Sequence, residues 1–326
     1  MLKRTICFLL TTLFLLGNAP LPQGEDGCSR FIDPQQKVND IIVNCLGLTG
    51  IRIDGDELCE GSDWPEPLLI LKSRNLEDVT NAVQGKINKD ISWKMEGKRW
   101  EMQNPLLSAH TAKKILHIGL QDLGFKDPVL PQGKNYEGIL ILGALAERVH
   151  ERLLFLNQVI GSNPNIQFKK VYILTGERPL EDMEKEQFPF LKDVNDEGQM
   201  TLEIFKKYAN TRLQEKSIYV YSPAPQGSAR ATTESTIHAF MKKNPKPGRY
   251  LGASNGYFIP YQELVIQNCL NKFYPNAGIS IECIGPGDKT SVNALSEKEL
   301  INSASVLLDN LSRIFYNLQI NVNPKE

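Results

Sequence analysis

Residues 136–158 read YEGILILGALAERVHERLLFLNQ. Gly138 to Leu142 is a short, almost wholly apolar run, which suits a strand buried on both faces, and Gly143 breaks it. From Ala144 the apolar positions change to helical spacing, at Leu145, Val149, Leu153 and Leu156. Strand, glycine turn and helix in this order leave the first-turn N–H groups of the helix facing whatever lies beyond the strand end. That geometry accepts an anion. The same joint also occurs as an ordinary connection in any parallel α/β sheet, so both readings stand at this point.

Working outward, further apolar runs occur at Lys170–Thr175, Ser217–Ser222, Tyr250–Ala253 and Ile279–Ile284. Helical patterns lie between them, near 145–160, 198–212, 231–243 and 258–272, and a final helix covers Glu297–Leu318. Five strands alternating with helices predict an α/β fold for residues 135–326, a doubly wound, mostly parallel, Rossmann-like sheet. Residues 28–134 read as a separate α+β layer. Gln35–Leu46 has helical spacing, Pro67–Lys72 is a short apolar run, and Asn75 with Asp78 resembles a helix cap before Val79 and Val83. Ile91–Met102 alternates around Glu96-Gly97 with Trp93 and Trp100 as facing aromatics, which predicts a β-hairpin; Ser108 or Thr111 then starts a helix that runs to Leu123 and ends at Gly124.

The chain has 326 residues, 41% hydrophobic and 23% charged, with a formal net charge of -1. This is globular composition, and its near-neutral balance argues against a nucleic-acid partner. The lysine pairs, such as Lys113/Lys114 and Lys206/Lys207, read as solvated faces. Residues 1–19 read as an export signal: Met1–Arg4 carries two positive charges, Thr5–Leu16 is apolar or threonine, and Gly17, Asn18 and Ala19 close it. The apolar run is shorter than the roughly 20 residues of a membrane span. Pro20 disfavours a cut after Ala19, so membrane association through a retained N-terminus stays open beside a periplasmic or secreted location. Cys28, Cys45, Cys59, Cys269 and Cys283 then predict two disulfides, one near the N-terminus and one joining Cys269 to Cys283, with one thiol left over. No CxxC spacing points to zinc. An EF-hand reading of Asp54-Gly55-Asp56-Glu57 fails because Cys59 and Pro65 stand where glycine and glutamate belong.

In a doubly wound sheet ligands sit at the carboxyl ends of the strands, and the loops there are polar. They carry Glu147 and Arg148, then Thr175-Gly176-Glu177-Arg178, then Ser222–Arg230 leading into Thr232, Thr233 and Glu234, then Ser254-Asn255-Gly256-Tyr257, and lastly Gly285, Gly287, Asp288 and Lys289. Arginines with hydroxyls and open helix N-termini fit a small anionic, phosphorylated or nucleotide-like ligand. Arg148, Arg178 and Arg230 would hold negative charge. Glu147, Glu177 and Glu234 are acid/base candidates. Thr175, Ser228, Thr232 and Ser254 supply hydroxyls, while Gly143 and Gly176 let backbone approach. Thr232 and Glu234 equally fit a helix cap and its charge complement.

Gly252-Ala253-Ser254-Asn255-Gly256 satisfies GxSxG, but His110, His117, His150 and His238 all precede the serine, against the order of the usual hydrolase triad. A serine hydrolase would need His150 or His238 to reach Ser254 by another topology. The GxGxxG dinucleotide fingerprint is absent, Gly143 standing alone in the first joint, so the cofactor stays unidentified. Glu177 occupies the position of a ribose-binding acid, as in a methyltransferase-like adenosyl pocket.

The ordered loops from Glu137 to about Pro286 resemble the YdcF-like and SanA/ElyC-like family of bacterial α/β proteins. Leu142-Gly143 matches the family's Leu-Gly, and Thr175-Gly176-Glu177 stands for its Ser-Gly-Gly. Ala231-Thr232-Thr233-Glu234-Ser235 stands for its Asn-Thr-x-Glu-Asn, keeping the threonine and glutamate. Tyr257 and Pro260 replace its His-x-x-Arg pair after Ser254. The resemblance implies a Rossmann-like fold, an exported or membrane-associated location and a role in cell-envelope metabolism. The lost pair admits an alternative: a catalytically silent interaction protein using Trp64, Trp93 and Trp100 for contact.

Overall fold

The computed structural model describes residues 30–55, 66, 68–85, 107–228 and 230–322. In the N-terminal layer, α1 (Asp40–Gly47) starts where the Asn39 side chain accepts the Ile42 amide, and β1 (Ile51–Ile53) pairs in parallel with β2 (Leu69–Leu71). α2 (Leu76–Ala82) begins at the expected cap, with Asn75 accepting the Asp78 amide at 2.8 Å. α3 (Ala109–His117) begins at Ser108 and passes through a π-turn to Gly124, whose φ of +69° ends it. The expected Ile91–Met102 hairpin lies outside the described residues, as do the export signal, Cys28, Cys59 and the three tryptophans.

The apolar runs form one five-stranded, all-parallel sheet. In chain order its elements are β3 (Asn135–Leu142), α4 (Ala146–Ser162), β4 (Gln167–Gly176), α5 (Asp182–Gln187), α6 (Glu197–Tyr208) and α7 (Thr211–Gln214). They continue with β5 (Ser217–Ser222), α8 (Thr233–Met241), β6 (Gly248–Ala253), α9 (Phe258–Phe273), β7 (Ile279–Ile284) and α10 (Glu297–Val322). The sheet order is β5-β4-β3-β6-β7, the doubly wound Rossmann-like arrangement. Both faces are covered, which is why the strands read as continuous apolar runs. Ile139 and Ile141 of β3 pack with Val149 and Leu153 of α4 and Met200 of α6, while Leu140 and Leu142 pack with Phe240 of α8 and Ile266 of α9. The predicted 198–212 helix is split because Asn210 caps a new start, accepting the Leu213 amide at 3.0 Å.

The chain winds from β3 through β4 to β5, then returns to place β6 on the other side of β3. The strand order therefore reverses between β3 and β6, and the crevice at their carboxyl ends is where such sheets bind ligands. α10 closes the fold differently. Its Leu307, Leu311 and Phe315 are buried with Ile42, Val79 and Ile115 of the N-terminal layer and Leu264 of α9. One helix thus belongs to the sheet domain by sequence and to the N-terminal layer by packing.

The expected Cys269–Cys283 disulfide is not formed. Both residues are free thiols inside the same core, 5% and 1% exposed. Cys283 Sγ fills the space left by Gly252, where a Cβ would stand only 2.7 Å away. The two sulfurs are apolar core atoms rather than a staple, because a large parallel-sheet core needs none. Burial pushes the Cys269 thiol up to about 12 and raises Cys283 as well, so neither offers a thiolate at neutral pH. Alkylation without reductant should leave both untouched in the folded protein and modify both after denaturation. Peptide mass spectrometry reads this directly, and a linked Cys269–Cys283 peptide would overturn it.

Candidate functional site

A cavity of about 250 Å³ lies at the carboxyl ends of β3 and β4. Its floor is Leu142–Leu145 and Gly176–Arg178; its walls come from the starts of α4, α6, α8 and α9, with Arg313 of α10 at one side. Two of these helix starts, those of α4 and α8, differ in their capping. The first turn of α4 has no side-chain cap, and Ala146 N–H donates to Glu184 Oε1 at 2.8 Å. α8 starts at Thr232, whose hydroxyl accepts the Ser235 amide in a reciprocal cap.

Arg152 decides the electrostatics. It stands on the buried face of α4, 3% exposed, and lines the cavity. Its Nε donates to Asn255 Oδ1 at 2.6 Å, and its Nη1 donates to the carbonyls of Leu142 and Gly143 at 2.5 and 3.2 Å. Every one of these acceptors is neutral. Glu197 and Glu151 act on the guanidinium only through space, and burial, with Arg148 adding repulsion, pushes Arg152 down to about 9. A buried cation without a paired carboxylate is expensive. An anion in the cavity would offset that cost.

Glu197, at the first position of α6, forms the opposite wall. Its Oε2 accepts from Arg178 Nε at 2.8 Å, while Oε1 lies against Gly143, where a Cβ would meet it at 2.2 Å. Gly143 is therefore required for close approach, not for a special φ. Arg178 also holds Glu184 in a two-pronged pair, Nη1 to Oε2 at 2.8 Å and Nη2 to Oε1 at 2.9 Å. The two carboxylates share one cation and diverge. Burial pushes Glu184 up, but Arg178 and the N–H groups of Glu181 and Ala146 outweigh it and hold Glu184 below the usual range. Burial dominates at Glu197 and raises it above the usual range despite Arg178. Glu197 is thus the carboxyl here that holds its proton above the ordinary carboxylate range.

The other candidates are scattered unevenly. Arg148, half-buried, stacks its guanidinium 4.3 Å from the Phe258 ring centroid and lines the cavity, as does Arg230. Arg178 lines it too, but its charge is committed to Glu184 and Glu197. Gly143, Gly176, Glu177 and Thr232 are in the lining; Glu177 also accepts the Ala224 amide at 2.9 Å. Glu147 is exposed on α4 outside the lining, and Glu234 lies in a neighbouring cavity, 3.6 Å from His238. Thr175 is fully buried under the site, and exposed Ser228 donates to the Arg230 carbonyl at 2.7 Å, shaping that turn. Ser254 is fully buried, and its hydroxyl has no hydrogen-bond partner among the described residues, while its N–H donates to the Ile284 carbonyl at 2.8 Å. No hydrolase triad forms around it: His238 Nδ1 pairs with Tyr274 Oη at 2.7 Å, and His150 packs between Phe188 and Tyr208. Among the described residues no group of three or more His, Cys, Asp or Glu side chains converges as a metal site.

Arg152, Glu197, Glu184 and Arg313 were not among the sequence candidates, and Asn255 stood only within the Ser254–Tyr257 loop without a role. A signal existed for two of them: Arg152 interrupts the apolar stripe between Val149 and Leu153, and Glu197 follows the Asp196 cap of α6, which accepts the Gln199 amide at 3.0 Å.

Comparison of the chain with protein-family models, curated proteins and solved structures finds no match.

The cluster makes two stability predictions. Arg178→Ala strands two carboxylates and should cost about 3–5 kcal/mol in denaturant unfolding. Glu197→Gln tests the proton. From pH 4.5, the ordinary value, up to the raised folded value, the native protein keeps a proton that the unfolded chain has released. Stability at this group therefore falls as pH rises through that interval. Glu197→Gln should flatten the decline of Tm with pH; an unaltered slope would show that Glu197 titrates normally.

Proposed function

We propose that the protein binds a small phosphorylated or nucleotide-like anion at the carboxyl ends of β3 and β4. The observation that carries this reading is Arg152, a buried guanidinium lining the cavity whose hydrogen-bond partners among the described residues are all neutral. A phosphate or carboxylate there acquires a charge-assisted pair in a low-dielectric setting, with Arg148, Arg230 and the start of α8 as further contacts. Glu197 is the group that would donate or accept a proton if the ligand is processed. The basic-then-apolar N-terminus supports an exported protein, membrane-held if the signal is retained. The resemblance to the YdcF-like and SanA/ElyC-like proteins supports a place in envelope metabolism.

The test is calorimetric titration of the protein with inorganic phosphate, pyrophosphate, sugar phosphates and nucleotides, alongside a thermal-shift scan. Binding to the folded state raises Tm with ligand concentration. Arg148→Ala and Arg230→Ala remove half-buried side chains of the lining, Arg148 giving up its stack on Phe258. Each should weaken binding roughly tenfold, the ordinary worth of one charge-assisted hydrogen bond, with the free variant still unfolding cooperatively. Affinity unaffected by both substitutions would refute the site. Absence of binding across the panel would favour the interaction-protein alternative.

A further inference from the structure

Tyr261 of α9 and Arg313 of α10 line the anion cavity, and the same two side chains line a second cavity of about 450 Å³. The second cavity lies between α8, α9 and α10. Its α9 wall is Tyr261, Val265, Asn268, Cys269 and Lys272, and its α10 wall is Arg313, Tyr316, Asn317 and Ile320. Both sets follow helical spacing, so each is one continuous stripe along its helix. Phe273, Tyr316 and Ile320 are 41%, 51% and 36% exposed, and all three converge here.

The polar groups of this cavity are already engaged. Asn268 Nδ2 donates to the backbone carbonyl and side-chain oxygen of Asn317 at 2.9 and 3.2 Å. Gln84 Nε2 donates to the Ser312 carbonyl at 2.9 Å, Glu234 faces His238, and Arg313 pairs with Asp309 at 2.9 Å. The Lys272 ammonium lies 4.7 Å from the Phe273 ring centroid, and the rest of the wall is largely aliphatic and aromatic, meeting the anion cavity at the shared side chains of Tyr261 and Arg313.

We propose that the ligand is an anionic amphiphile, with a phosphate head among Arg148, Arg152 and Arg230 and an aliphatic chain lying in the α9–α10 groove. The proposal rests on the anion-binding reading and adds the chemistry of the rest of the molecule. The groove sets a length. From Arg313 to Ile320, seven residues of α10 rise about 10 Å, the reach of a chain of roughly eight carbons.

Alkyl phosphates of increasing length are the probe, titrated calorimetrically into the full chain below their micelle-forming concentrations, beside inorganic phosphate. Affinity should rise about two- to fourfold for each added methylene and level off near eight carbons. The double variant Tyr316→Ala/Ile320→Asp alters exposed side chains outside the anion cavity. It should bind inorganic phosphate as the parent does and lose the dependence on chain length, with its Tm confirming an intact fold. Phosphate binding without chain-length dependence, or dependence surviving in the double variant, overturns the amphiphile and leaves the anion site standing. Failure of every phosphate compound to bind overturns both. A nucleoside monophosphate binding more tightly than the eight-carbon phosphate overturns the aliphatic chain in favour of a base.

Discussion

The buried guanidinium of Arg152 holds the site together. It reaches from α4 to the end of β3 through the Leu142 and Gly143 carbonyls and to the loop after β6 through Asn255. These are the two strands between which the sheet order reverses, so one side chain spans the crevice that the topology opens. Asn255 passes the link onward, its Nδ2 donating to Glu151 Oε2 at 3.0 Å. The carbonyls that Arg152 binds would otherwise be orphaned at a strand end, and buried carbonyls need partners. The same residue therefore satisfies the backbone and leaves positive charge under the cavity.

Across the cavity, Arg178 performs the complementary task. It looks like a ligand clamp in sequence because it ends β4, yet it is 6% exposed and holds two carboxylates. Glu184 in turn binds Ala146 N–H, which fixes the start of α4 against α5. The pair is thus scaffolding that sets where Glu197 sits. Gly143 completes the arrangement by omission, since any side chain there would push the Glu197 carboxyl away.

The fold was legible because a strand buried on both faces leaves an unmistakable trace. Ser217–Ser222 and Ile279–Ile284 stand in the structure at the bounds their apolar runs suggest. The site was legible only as a location. Loop position marks which residues are near a ligand but not which have charge to spare, and that depends on distant partners. Arg178 is neutralised by residues 6 and 19 positions away, whereas Arg152 hides in a helical stripe of apolar residues. Glu147 and Glu234 sit on first helical turns whose orientation, outward in both cases, is set by packing of the opposite face. The disulfide expectation came from compartment and cysteine count, and neither carries geometry.

Charge around the cavity gives the arrangement its chemical sense. The lining holds the guanidiniums of Arg148, Arg152, Arg178, Arg230 and Arg313. Against these five stand Glu177 and Glu197 in the lining, with Glu184 and Asp309 as direct ion-pair partners behind it. Arg178 and Arg313 thus meet carboxylates directly, while Arg152 meets Glu197 and Glu151 only through space. Burial raises Glu197 toward its neutral form, and a proton taken up there leaves less negative charge opposite Arg152. On the anion-binding reading proposed above, proton uptake at Glu197 and anion binding at Arg152 would reinforce each other, since each lowers the cost that the other faces when buried alone.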